Sequence, residues 1–201
     1  LFNNLFFAKE RATVQVRCKM TEHVNLFSDA ERWQSWLDVE AALASVQADL
    51  KIIPAWAAKE IKKKANIDNF DANNITSEIE RTGSPVFALV RIFATFCGTA
   101  GHYVHLGATT QNIVETGQLI VLKRYHKILL KACIKILEKL KIMALEHADT
   151  MMVGRTQGNH ALPITFGYKL AGWINDFISL VDRFFDIERR LFLLRFGRAV
   201  G

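Results

Sequence analysis

The sequence predicts an all-α fold: an N-terminal helical domain followed by the first long helices of an elongated bundle. Three observations carry this. Only three prolines interrupt 201 residues. The common residues are Ala, Leu, Ile, Lys and Glu, mostly good helix formers. Two stretches, residues 111–147 and 163–194, hold no proline beyond Pro163 and only Gly117, Gly167 and Gly172 as glycines. No strand-type alternation of apolar and polar residues is visible, and there is no internal repeat or low-complexity segment.

The elements follow in order. Residues 1–27 read as irregular. Ser28 with Glu31 forms the S-x-x-E capping box that opens a helix through about Asp49. Its stripe is Trp33, Trp36, Leu37, Glu40, Ala44 and Gln47, at helical spacing. Pro54 suits the first turn of a second helix over about 54–65. A third runs over about 71–82 and stops at Gly83. Pro85 opens a fourth, ending near Gly98. The two long stretches then predict helices beyond thirty residues, starting near Thr110 and Pro163 and spanning about 45–50 Å at 1.5 Å per residue. Their apolar residues, such as Ile128, Leu129, Leu130, Ile134, Ile136 and Leu137, cover several faces, so these rods need partners on several sides. The domain division expected is 1–108 and 109–201.

Composition excludes several classes. Half the residues are hydrophobic, ample for a core. The net charge is +6, but Lys123, Lys127, Lys131 and Lys135 spread along a helix. The Lys62-Lys63-Lys64 run lacks interleaved aromatics. Both read as solvated surface rather than a nucleic-acid face. Trp33, Trp36 and Trp173 read as packing. Cys18, Cys97 and Cys133 are widely spaced and form no CxxC pair, which argues against zinc or a disulfide framework and suits a reducing cytoplasm. The apolar start, residues 1–8, is too short for a full signal peptide. No uncharged run reaches bilayer-spanning length, so no membrane partner is expected.

Two polar links precede the long helices. The first is His105-Leu106-Gly107-Ala108-Thr109-Thr110-Gln111-Asn112. Hydroxyls at a helix start suit an anion, since free N–H groups and the positive dipole end favour a carboxylate or phosphate. Thr109 or Thr110 can cap the helix, and the simpler reading is that Thr110 is only an N-cap. His102 and His105 lie three apart, but no carboxylate is close in sequence, so a metal site is not expected. The second link is Gly154-Arg155-Thr156-Gln157-Gly158-Asn159-His160-Ala161-Leu162-Pro163-Ile164-Thr165-Phe166-Gly167. It gathers an arginine, a threonine, two amides and His160, whose type titrates near neutral pH. Its simpler reading is a loop histidine bonded to backbone. His147 reads as a charge partner at a helix C-terminus.

Residues 154–167 resemble the second signature region of the fumarase–aspartase superfamily, most closely its adenylosuccinate lyase and 3-carboxymuconate cycloisomerase branches. Residues 105–111 resemble the first region, and residues 27–44 the first helix. The resemblance runs from about residue 20 to the end. It implies no cofactor and no metal, a small dicarboxylate-type substrate, and a homo-oligomer, a tetramer in the full-length protein. It implies anti β-elimination. A base takes a proton next to a carboxylate, an aci-carboxylate forms, and an acid protonates the departing nitrogen as fumarate leaves. The doubled negative charge calls for preorganised donors. By this resemblance Thr109, Thr110 and Gln111 bind a substrate carboxylate, Arg155 and Thr156 shape the second loop, and Ser84 lies in the substrate-binding region.

The departures are specific. Lyase relatives carry a histidine directly after the Arg-Thr pair; here Gln157 stands at that acid position, and an amide has no useful pKa. That leaves His160, three residues on, as the candidate acid. Ser84 stands where a second lyase histidine is expected, and Asn112 where the first signature closes with Asp. An arginine–tyrosine pair of nucleotide-using members reads Arg17-Cys18. Cycloisomerase relatives also lack the histidine after Arg-Thr, so the resemblance leaves three readings: a purine-biosynthesis-type carbon–nitrogen lyase, a cycloisomerase, and a non-catalytic helical scaffold. The third signature, a Met-Pro-containing loop with the catalytic serine, is absent from the sequence. The resemblance therefore covers roughly the N-terminal half of such a subunit, and the chain by itself is expected to be inactive.

Overall fold

The computed structural model describes residues 25–197. The readings made on residues 1–24, including Arg17 and Cys18, and on the last four residues lie outside these. The helices are α1 (Asp29–Asp49), α2 (Ala55–Lys64), α3 (Ala72–Thr82), α4 (Pro85–Cys97), α5 (Thr110–Glu146) and α6 (Phe166–Leu191). Short 3-10 turns occur at Asn25–Phe27, Ile67–Asn69 and Gly98–Tyr103. Between α5 and α6 stands an antiparallel hairpin of β1 (Met151–Thr156) and β2 (Asn159–Thr165).

The punctuation works as its chemistry requires. The Ser28 hydroxyl accepts the Glu31 N–H at 3.3 Å. Pro54 is the N-cap of α2 rather than a residue inside it. Gly83 closes α3 in the left-handed region, its N–H donating to the Ile79 carbonyl. Pro85 occupies the first turn of α4, where a missing N–H costs nothing.

All six stripe residues of α1 are buried. The four apolar ones, Trp33, Trp36, Leu37 and Ala44, join Ile53, Ile61, Ile75, Leu89, Phe93 and Ile113 in one core formed by α1 to α4 and the start of α5. Gly117 lets α5 approach α1, because a Cβ there would lie 2.6 Å from Trp36 Cδ1 and 2.7 Å from Ser35 Oγ. By length and composition Pro85–Tyr103 suffices to cross a bilayer, a span that was not singled out from the sequence. Val86, Ala88, Leu89, Phe93 and Cys97 in this stretch are buried in the protein core.

Burial also pushes the Cys97 thiol up to about 11. The folded state then keeps a proton that the unfolded chain loses near pH 8.5. Stability from this group is full below the ordinary thiol range and is lost as pH rises towards 11. The expected result is a fall in unfolding free energy from about pH 9 to 11, with a shallower slope in Cys97→Ala; equal slopes by urea titration would contradict it.

α5 has 37 residues, or about 55 Å. α6 returns antiparallel to it, as three contacts in reversed order show. The Gly167 N–H donates to the His147 carbonyl at 2.8 Å. His126 Nε2 lies 3.1 Å from the Phe184 carbonyl. Asn112 Nδ2 donates to the Arg195 carbonyl at 3.4 Å.

Three expectations are corrected here. Residues 151–165 form a hairpin where no strand was expected. It is exposed along most of its length, so neither strand carries an apolar face to produce alternation. The second long helix has 26 residues and begins at Phe166, not near Pro163. Pro163 sits in β2 opposite Val153, on a two-stranded sheet where a missing donor is tolerated. Trp33 and Trp36 are buried, but Trp173 is 47% exposed, with Lys169 Nζ 5.5 Å from its ring centre.

Candidate active site

The first polar link forms the entrance to α5. Thr109 is the N-cap, in extended backbone, and its N–H donates to Asn112 Oδ1 at 3.2 Å. Thr110 is the first helical residue, half-buried, and its hydroxyl makes no hydrogen bond among the described residues. Of the two threonines proposed for capping, Thr109 is the N-cap, and the Thr110 hydroxyl, without a partner among the described residues, lies at the positive end of the helix dipole. Gln111 is exposed and donates to Glu115 Oε1 at 2.8 Å. Asn112 makes two bonds of opposite polarity, accepting from Thr109 and donating to Arg195. A carboxylate could make only the first, which gives a physical reason for an amide at this position.

One partner of the entrance loop was not found from the sequence. Glu40 is 2% exposed, and its carboxylate accepts twice from His105, from the backbone N–H at 3.0 Å and at Nδ1 over 2.6 Å. His105 has φ +61°, a left-handed conformation uncommon outside glycine. Two turns along the same face of α1, Gln47 Nε2 donates to the Leu106 carbonyl at 2.6 Å. The one available signal was a carboxylate inside an otherwise apolar stripe, since a buried charge requires a partner. Sixty-five residues separate Glu40 from His105, so spacing could not name it.

The second polar link is the hairpin. Arg155 and His160 are cross-strand partners, and Thr156 pairs with Asn159. Gln157 and Gly158 form the two-residue turn, at φ +49° and +85°, the pattern of a type I′ turn. The family acid position thus falls on the tip of the hairpin. Arg155, Thr156, Gln157 and His160 are all exposed. Two glycines of this region are fixed by space. A Cβ on Gly154 would lie 2.6 Å from the Leu162 carbonyl oxygen, and one on Gly167 would lie 2.6 Å from that of Ala144. His147 is the C-cap of α5, with Nδ1 3.2 Å from Thr150 Oγ1.

The fold gathers Thr109, Thr110 and Gln111 at one end of α5, and Arg155, Thr156, Gln157 and His160 beyond the other. Half-buried Ser84 is the N-cap of α4, with no cap bond from its side chain. Among the described residues there is no cluster of three or more His, Cys, Asp or Glu side chains able to hold a metal.

Polar loops carried at the two ends of a long antiparallel helix pair define the class: an elongated helical-bundle subunit whose candidate site groups are divided between the ends of its rods. A family model described as Lyase matches residues 11–201. The chain belongs to this lyase family, within the fumarase–aspartase superfamily. It is 39% identical over 176 residues to an N-acetyl-S-(2-succino)cysteine lyase of Enterococcus italicus, covering 88% of this chain and 39% of that protein. It is 34% identical to an adenylosuccinate lyase of Synechocystis, covering 92% and 42%. The crystal structure of a 3-carboxy-cis,cis-muconate lactonizing enzyme from Pseudomonas putida superposes with TM-score 0.86 at 34% identity, covering 90% and 42%. The chain therefore spans about two fifths of the length of these relatives.

Proposed function

We propose that this chain contributes the carboxylate-binding helix entrance and the polar hairpin of a lyase that releases fumarate from an N-substituted succinate. The carrying observation is Thr110: a hydroxyl with no hydrogen-bond partner among the described residues, on the first residue of a long helix, beside the N-cap Thr109. Relatives named for S-(2-succino)cysteine and for adenylosuccinate support a 2-substituted succinate, and adenylosuccinate, joined through nitrogen, supports the N-substituted form. In this reading Thr109, Thr110 and Gln111 hold a carboxylate that gains charge as the proton leaves. Arg155 and Thr156 from the hairpin of a neighbouring copy orient the other end of the substrate. His160 is the candidate proton donor to the leaving nitrogen, in place of Gln157. The assembly is a homo-oligomer, with a tetramer as the proposed form, working in the cytoplasm.

The test is Thr110→Val in the complete subunit. The expected result is a loss of about 10²–10³ in kcat, the scale seen when one preorganised donor is removed from a developing anion, with the helix cap intact. Unchanged turnover would overturn the role of Thr110. A second reading, a cycloisomerase, is favoured by Gln157 at the acid position and by the likeness to the lactonizing enzyme. Assay of the complete subunit with a succinyl-amine and with 3-carboxymuconate separates the two.

A further inference from the structure

We propose that Glu40 is a positioning residue that fixes which nitrogen of His105 carries the proton, leaving Nε2 as the ring's only proton-accepting atom beside the α5 entrance. Glu40 sits on α1 and is almost completely buried, so its carboxylate depends on the donors it finds there. Both are supplied by His105: the backbone N–H on Oε2 and ring Nδ1 on Oε1. An ionised carboxylate only accepts, so Nδ1 must be the donor. In the neutral ring the lone pair then lies on Nε2, which has no hydrogen-bond partner among the described residues. The ring is 20% exposed, enough for a small molecule to reach an edge of it.

The clamp also holds the loop. The Ala108 N–H donates to the His105 carbonyl, so the left-handed turn at His105 passes directly into the Thr109 cap. With the Gln47–Leu106 bond, α1 grips this loop at two successive residues. Glu40 thereby acts on the entrance through His105 without forming part of the helix start.

An isosteric exchange tests this, because an amide has one acceptor and one donor. In Glu40→Gln the amide oxygen must take the backbone N–H, which can only donate. The amide NH₂ then faces Nδ1 and requires it to accept. The proton moves to Nε2 with no change in side-chain volume. The measurement is the long-range ¹H–¹⁵N spectrum of the ¹⁵N-labelled 201-residue chain, at a pH where the ring is neutral. The expected wild-type pattern for His105 is the Nδ1–H tautomer, and that of Glu40→Gln the Nε2–H tautomer. An Nε2–H pattern in the wild type, or no change in the variant, overturns the proposal.

The consequence for turnover rests on the lyase reading above, whereas the tautomer does not, so a subunit inactive on every succinyl-amine would defeat that reading alone. In the active complete subunit, Glu40→Gln is expected to lower kcat about 10²-fold, the lower range for a polar group that presents the wrong atom at a preorganised site. His105→Asn is expected to lose as much while melting near the wild type. Its amide still donates to Glu40, and asparagine tolerates the left-handed backbone, but it has no Nε2. Full turnover in either variant would overturn the positioning role.

Discussion

The 201-residue chain by itself is expected to release no detectable fumarate from any succinyl-amine. The reason is distance. Thr109 and Thr110 begin α5, and the hairpin bearing Arg155 and His160 follows its other end, about 55 Å of helix away. Because α6 runs back along α5, nothing in the described residues folds the hairpin towards the entrance. One small substrate cannot touch both groups in one copy. On the proposed function, copies packed antiparallel side by side would bring an entrance of one against a hairpin of another, and the exposed surfaces suit such packing. Ile142, Leu145, Trp173, Ile178 and Phe185 are each at least 47% exposed along α5 and α6, an apolar extent that isolated subunits rarely leave in water. Even that association supplies no Met-Pro serine loop, because the sequence has none. A coupled assay for fumarate decides it. Measured release that disappears in Thr110→Val would show that a complete site forms from these residues alone.

Phe93→Ala is expected to destabilise the chain by about 3–5 kcal/mol. That is a large share of the roughly 5–15 kcal/mol that holds a typical domain folded. Phe93 is 0% exposed and meets Phe70 edge to face with ring centres 6.2 Å apart. It stands on α4, where the core joins residues of α1 to α4 and the first turn of α5. Truncation leaves a void that rigid helix neighbours cannot close. Phe96, one turn on and 42% exposed, also meets Phe70, with ring centres 5.2 Å apart, so Phe96→Ala is the control and should cost much less. Urea midpoints should separate the two variants at unchanged slope; equal midpoints would mean that the core is placed wrongly.

The helical frame was legible because its signals are local. Ser28, Pro54, Gly83 and Pro85 each mark a boundary through one backbone requirement, and the α1 stripe was marked by period alone. The hairpin was not legible by the same test, since exposure on most of both strands removes the alternation that betrays a half-buried strand. Its readable signal was Gln157-Gly158 between two short β-compatible runs, a turn pair masked by the polar residues around it. In the candidate site, the threonines at the α5 start could be named from residue type and position. The division of labour between Thr109 and Thr110, and the two-sided role of Asn112, depend on bonds that residue type leaves open. The Glu40–His105 pair depends on tertiary packing across most of the N-terminal region, and no local rule reaches that far.

The antiparallel register of α5 and α6 makes the pair a gear as well as a spacer. Between Asn112 and His147 every added residue advances the far end by about 1.5 Å and turns it by about 100°. A single insertion between His126 and His147 would carry His126 off Phe184 and swing the hairpin to another side of the rod, away from any neighbour it must meet. Length changes of about seven, eleven or eighteen residues come closest to restoring the phase. The two-residue turn at Gln157-Gly158 has no such phase to keep. Natural variation in length belongs at that tip, where it would alter what the hairpin reaches without changing the direction in which it is aimed.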